Sequence, residues 1–440
     1  MSLNGDCKVR RVFSGETECA VVFLESTVSQ QLLEENVLAR LMQLAVRTDS
    51  LSLARKSATS GGQITALNSL SECASQLSGG MTLLFIDGVA GCLSVDIRSL
   101  PSRSTEEPSL DKTILGARDG FTESVVDNLG LIRKRIRSES LCAKTVFVGS
   151  GKAKCFILYM RGQEDGSVLR LEKALKRLDG KLFLTVGDIL PVLGPRSIFP
   201  TQKITERPDT ACSLLSKGRL VLLMDGQPAA VCLPVSLSEL FESPNDAAIS
   251  PPLGKMSKLL RYIGALLCIT LPGLYVALLN FHRAVLPAEM TALVIESESL
   301  AALPLLPEVL VAWLLVALIF QVGIALPTTV GGTIGIFGSI VLGQALVNAN
   351  IASELTLLVV ITSAVSGYAV PNYPLSTALG PVSLFVLLLS AAFGLPGTGL
   401  AVTAVLARIL SLTSGSRPFP LAKQRGFITA AELFKSSGAK

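Results

Sequence analysis

The sequence predicts an α/β cytoplasmic N-terminal region of two related subdomains, followed by an α-helical transmembrane bundle. Three observations carry this. Nearly all the charge precedes Lys258, and between Val309 and Ala407 the only Asp, Glu, Lys or Arg is Glu354, too long an uncharged run for a soluble core. Within residues 330–347 a small residue returns at every fourth position, Gly331, Gly335, Ser339 and Gly343, and on a helix these share one face. In water each interior glycine costs a helix about 1 kcal/mol relative to alanine, whereas in lipid such a face lets two backbones approach. Third, the first half repeats itself: Cys19 and Cys155 stand in matching turn-then-strand stretches 136 residues apart, and Asp87 and Asp225 in matching Asp-Gly turns 138 apart.

Taken in order, residues 1–115 form the first α/β subdomain. A turn at Gly15 leads into a strand around Cys19, a helical pattern runs over 28–45, and an Asp-Gly hairpin follows at Asp87. The first thirty residues hold Lys8, Arg10, Arg11, Glu16, Glu18 and Glu25 and no continuous apolar core, so no cleavable signal peptide is expected. Residues 116–240 form the second subdomain, opened by an amphipathic linking helix over 119–137. There Phe121, Val125, Leu129, Ile132 and Ile136 share one side, and Arg133, Lys134, Arg135 and Arg137 crowd the last turn, where cations suit the helix dipole. The Gly149–Lys152 stretch GSGK is not a phosphate loop, because Ala153 follows the lysine and a strand comes next.

Composition excludes several functions. A net charge of +5 implies no nucleic-acid partner, and nine singly scattered cysteines suit free thiols, with no metal or cofactor site. The sole histidine, His282, removes every Ser/His or Cys/His scheme except one using it, so no enzyme is expected. His282 stands where the first span leaves the membrane, as an interfacial residue or a pH-responsive switch.

A proline-rich linker, 241–257, leads into the bundle, 258–412, and 413–440 form a cytoplasmic tail. Six apolar segments occur, at 258–280, 307–326, 329–348, 353–370, 380–395 and 396–412, and four or six crossings fit. Lys255, Lys258 and Arg261 before the first span and Arg408, Arg417, Lys423 and Arg425 after the last place both termini in the cytoplasm, against an acidic intervening loop with Glu289, Glu296, Glu298 and Glu308.

Several motifs in a fixed order then carry a resemblance. They are GARDGF (Gly116, Arg118, Gly120, Phe121) with Glu123, Asn128 and Arg133; SIFPT from Ser197; TERPD with Arg207 and Pro208; Asp225-Gly226; Ser243-Pro244 with Asp246; PGLYVALLNFH with Pro272, Gly273, Tyr275 and His282; and VPNY with Pro371 and Tyr373. Over essentially its whole length the chain resembles the GerA family of bacterial spore germination proteins, the A-type membrane subunits of nutrient germinant receptors. Two departures stand out. Asn245, Ala247 and Ala248 replace most of the family's acidic pair and tyrosines, and Trp313, Ala317, Phe320, Gln321 and Ala325 stand where a family helix carries glutamates and arginines, while Glu308 remains. Buried charge in lipid costs several kcal/mol, so the replacements make this a plainer span.

The resemblance implies a subunit in the inner membrane of the spore, working with a permease-like B-type subunit and a C-type lipoprotein subunit, homo-oligomeric, and releasing monovalent cations when nutrient arrives. Polar groups at depth then become candidates for an ion path: Glu308, Gln321, Thr329, Thr333, Gln344, Asn348 and Asn350, with helix capping and interhelical bonding the competing use of each. A SpoVAF-like accessory subunit that amplifies germination and, in another class, a secondary transporter stay open.

Overall fold

The computed structural model describes residues 4–15, 17–43, 64–98, 116–162, 166–178, 180–181, 185–300, 302–325, 338, 340–415 and 417–419. Two five-stranded antiparallel sheets of identical strand order build the N-terminal domain. The first is β1 (Cys7–Ser14), β2 (Thr17–Leu24), β4 (Thr82–Ile86), β5 (Cys92–Val95) and β3 (Ile64–Leu67) in spatial order; the second is β6 (Leu141–Val148), β7 (Ala153–Met160), β9 (Leu220–Met224), β10 (Ala230–Leu233) and β8 (Lys203–Thr205). The registers repeat too, with Cys19 opposite Val12 and Ile86 in one sheet and Cys155 opposite Val146 and Met224 in the other. The predicted relation between the halves therefore holds at the level of paired residues.

Each sheet is covered on both faces, which is why its central strands read as continuous apolar runs. In the second sheet Val221 and Leu223 point toward α3 (Val125–Arg135) and α6 (Pro208–Ser216), and Leu220, Leu222 and Met224 toward α4 (Ser167–Leu175) and α5 (Val186–Leu193). The first sheet sits between α1 (residues 30–43, with a π-turn at Glu34–Leu38) and α2 (Leu70–Ser78). In both Asp-Gly turns only the glycine has positive φ, +78° at Gly88 and +77° at Gly226, so these connections are longer loops rather than two-residue hairpins. GSGK is the turn between β6 and β7.

The linking helix is shorter than expected. It starts at Val125, not at 119, because the Ser124 side chain caps it by accepting from the Asp127 N–H, and residues 116–124 instead run as irregular chain. Arg133 is not solvated with its basic neighbours; it is buried.

After the four-residue α7 (Leu237–Leu240), the membrane half begins with α8 (Pro251–Phe281). Prolines at its first positions start it within the expected linker, since the missing N–H is unneeded there. The acidic loop is itself helical, α9 (Ala288–Leu300), and is followed by α10 (Leu305–Ala325), α11 (residues 340–348), α12 (Glu354–Tyr368) and α13 (Tyr373–Ser411). Among the described residues three helices are long and apolar enough to cross a membrane: α8, α10 and α13. Helix α13 is two helices, broken at Gly394, where φ is +65° and ψ −145°. Ser390 and Thr398 bring their hydroxyls to 2.8 Å across this break, where a straight helix would separate them by about 12 Å. The second half thus folds back along the first.

Contacts give the direction of each pass. Helix α8 leaves the N-terminal domain and ends at His282, whose ring lies beside Gly394. Phe320 stacks on Tyr368 at 4.1 Å while Glu308 meets Ser353, so α10 and α12 both run back toward the domain. The Ser414 side chain meets Val235 and Thr201, so the end of α13 and the N-terminal domain lie at the same end of the bundle.

Candidate functional site

Arg207 organises the point where two of the motif stretches meet. It is 1% exposed, and its Nη2 donates to the Ala117 carbonyl at 2.9 Å while Nε donates to Asp209 at 3.0 Å. Gly116, at φ +126°, supplies the backbone turn beside it, a conformation that side-chain-bearing residues rarely adopt. The Phe121 N–H donates to the Glu206 carbonyl at 2.8 Å and its ring is buried, Gly120 is buried, Pro208 opens α6, and Arg118 stays exposed. Arg135 pairs with Asp119 at 2.6 Å. Burial would raise the Asp119 carboxyl, yet the Arg135 guanidinium holds it below its ordinary value.

The Asp225 carboxylate accepts from the Val125 N–H at 3.2 Å, and the Gly226 N–H donates to Glu123, so this turn closes the start of α3. At the other end of α3 the Arg133 guanidinium donates to both carboxylate oxygens of Asp6, at 2.9 and 2.8 Å, fully within the interior. That pair ties the first sheet to the second, and the charge pattern alone gave no sign of it.

A polar joint connects this domain to the bundle. Arg261, three turns into α8, donates to both oxygens of Asp246 and to the Phe241 carbonyl at 3.1 Å. Desolvation pushes the Asp246 carboxyl up, but the Arg261 hydrogen bonds outweigh it and hold the group below its ordinary value. Glu242 accepts from Lys258 at 2.8 Å and from Lys217 at 3.3 Å, and these lysines likewise outweigh burial. The last helix returns to the same subdomain. Ser414 accepts from the Val235 N–H and donates to the Thr201 carbonyl, while Phe419 is buried, so the start of the expected tail packs on this subdomain. A cleft of ≈ 470 Å³ lies at the joint, lined among others by Asp209, Lys217, Glu242, Lys255 and Lys258.

Deeper, close helix packing among the described residues falls on α8. A Cβ at Gly264 would stand 2.8 Å from the Ser366 carbonyl, and one at Gly273 2.7 Å from Ser390 Oγ. Pro272 precedes Gly273 inside the helix. Gly343 has open space around it in the single chain, and Gly331, Gly335 and Ser339 lie outside the described residues. Tyr275 bonds Thr356 at 3.2 Å.

The described ion-path candidates differ in their settings. Glu308 is 1% exposed and accepts from the Ser353 N–H at 2.7 Å, tying α10 to the start of α12. Gln321, Gln344 and Asn348 are exposed, Asn350 ends α11 at φ +54°, and Thr329 and Thr333 lie outside the described residues. His282 is half-buried beside Phe281, Pro371 precedes the Asn372 side chain that caps α13, and Tyr373 is exposed. Trp313, Ala317 and Phe320, where the resemblance led charged residues to be expected, line a cavity between α8, α10, α12 and α13. All nine cysteines are free, and burial pushes Cys155 up to about 12, which leaves it a poor nucleophile.

A family model described as Bacillus/Clostridium GerA spore germination protein matches residues 1–426, domain and bundle together. The chain belongs to the GerA family. Spore germination protein B1 of Bacillus subtilis (strain 168) is 30% identical over 93% of this chain and 86% of its own length. An uncharacterized membrane protein of the same organism, YfkQ, is 26% identical over 91% of this chain and 79% of its own. Among solved structures, the crystal structure of the N-terminal domain of the A subunit of the Bacillus megaterium spore germinant receptor GerK3 aligns at a TM-score of 0.39 with 25% identity, covering 52% of this chain and 89% of that one.

Proposed function

We propose that this GerA-family chain is an integral-membrane subunit of a spore germinant receptor that takes part in releasing monovalent cations when nutrient arrives. The observation that carries the reading is the single family match spanning both the N-terminal domain and the bundle. In this reading the chain sits in the inner membrane of the spore with both ends in the cytoplasm, works without catalysis, and assembles in several copies with a permease-like B-type and a lipoprotein C-type partner. The joint at Asp246 and Arg261 supports the coupling it requires, because bidentate guanidinium-carboxylate bonds resist the shear that separate hydrogen bonds allow. In this reading movement of the domain passes to α8 through a linker segment stiffened by that pair and by Glu242 between Lys217 and Lys258.

The test is cation and dipicolinate release from spores lacking the gene, exposed to single nutrients in turn. Loss of the response to one nutrient class is the expected result. Slower release after every nutrient would instead mark an accessory amplifier, and unchanged release would overturn the proposal.

A further inference from the structure

A cavity of ≈ 80 Å³ lies inside the bundle where α8, α10, α12 and α13 meet. At roughly 15 Å³ for each water-sized group it has room for about five such groups. Its walls are of two kinds. Trp313, Phe320 and Tyr368 give an aromatic side, and Ser363, Ser376 and Ser383 a hydroxyl side.

The hydroxyls are not equivalent. Ser363 donates to the Cys268 carbonyl at 2.9 Å and Ser376 to the Gly367 carbonyl at 3.0 Å, so both have spent their proton and offer only lone pairs. Ser383 is 2% exposed, and its Oγ has no hydrogen-bond partner among the described residues. A buried hydroxyl left unpaired is costly, so this one is poised for a guest that can accept from it. None of the described lining residues is Asp, Glu, Lys, Arg or His, which excludes ions and zwitterions, whose charges would go unpaired at membrane depth. A cluster of waters is also a poor fit, since each water needs two or more polar partners and half the wall is apolar.

We infer that this cavity is a binding site for one small uncharged alcohol, its hydroxyl held by Ser383 and a neighbouring serine and its carbon end against Trp313 and Phe320. The guest hydroxyl accepts from Ser383 and donates to a serine lone pair, completing what the protein leaves open. The α10 wall of the site, Trp313, Val316, Ala317 and Phe320, carries no charge. The inference is independent of the receptor reading, as it concerns the isolated chain.

Trp313 is the only tryptophan in the chain and so reports on the cavity directly. The experiment is a titration of the full chain in lipid nanodiscs with 2,2,2-trichloroethanol, an alcohol that quenches indole on contact, alongside chloroform, which lacks the hydroxyl. Saturable quenching by the alcohol is expected. Ser383→Ala should shift its midpoint upward about fivefold, as loss of one hydrogen bond predicts, without moving that of chloroform, and Ala317→Leu should abolish saturation by filling the space. Quenching that rises linearly with concentration, as lipid partitioning gives, or a midpoint unchanged in Ser383→Ala, would overturn the assignment. The near-isosteric serine variant keeps the test decisive if the leucine variant fails to fold.

Discussion

At the scale of single residues, buried arginines hold the N-terminal domain together. Arg207 is committed to a carbonyl and a carboxylate, and Arg133 to Asp6 across 127 positions of sequence. Taking one member from a buried pair leaves the other charge uncompensated, typically at a cost of about 3–5 kcal/mol. Asp6→Ala should therefore lower the thermal stability of the domain sharply, while the double variant Asp6→Leu with Arg133→Met recovers most of it; equal losses in both would deny the pairing this weight. Asp119 and Asp246 are held below their ordinary values. A carboxylate depressed in the folded state contributes stability that is present above its unfolded pKa of about 4 and is lost as pH falls through the folded value. Resistance to proteolysis at the 116–124 segment and at the joint should accordingly hold from neutral pH down to about pH 4 and fail below it. These partnerships were not legible in sequence, because Arg133 stands among three other cations in one helical turn and nothing in that pattern marks the one that turns inward.

At the scale of elements, much was legible. The repeated strands, the Asp-Gly turns and the break between the last two apolar segments all follow from local patterning, and the break falls at Gly394, close to the 395/396 boundary between those segments. The closely packed glycines of α8 were harder to find. Gly264 and Gly273 do not stand at the four-residue spacing that draws the eye, and their meaning comes from Ser366 and Ser390 on other helices, which one segment cannot reveal. Gly273→Leu should force α8 away from α13 and abolish a stable folded chain in detergent, read as loss of a monodisperse peak. Gly343→Ala should not lower the chain's stability, since no described residue lies within 4 Å of a Cβ there. A clear loss with Gly343→Ala would mean that a neighbour beyond the described residues packs there.

At the scale of the whole molecule, the bundle is fastened to the second subdomain at both ends, through Asp246 and Arg261 at the start and through Ser414 and Phe419 at the finish. Helix α8 lies against α12 and α13 through close contacts at Gly264 and Gly273, and in the proposed receptor these are the route by which a displaced joint would reach the bundle interior. The central claim is that the N-terminal domain acts on the membrane half through this joint. Its most direct measurement is potassium release after nutrient addition in spores carrying Asp246→Arg, Arg261→Asp, or both, with membrane levels of the subunit checked in each. The account predicts that either single variant abolishes the response while the subunit persists, and that the double variant, which restores the pair in reverse, regains a large part of it. Wild-type release from both single variants would contradict it.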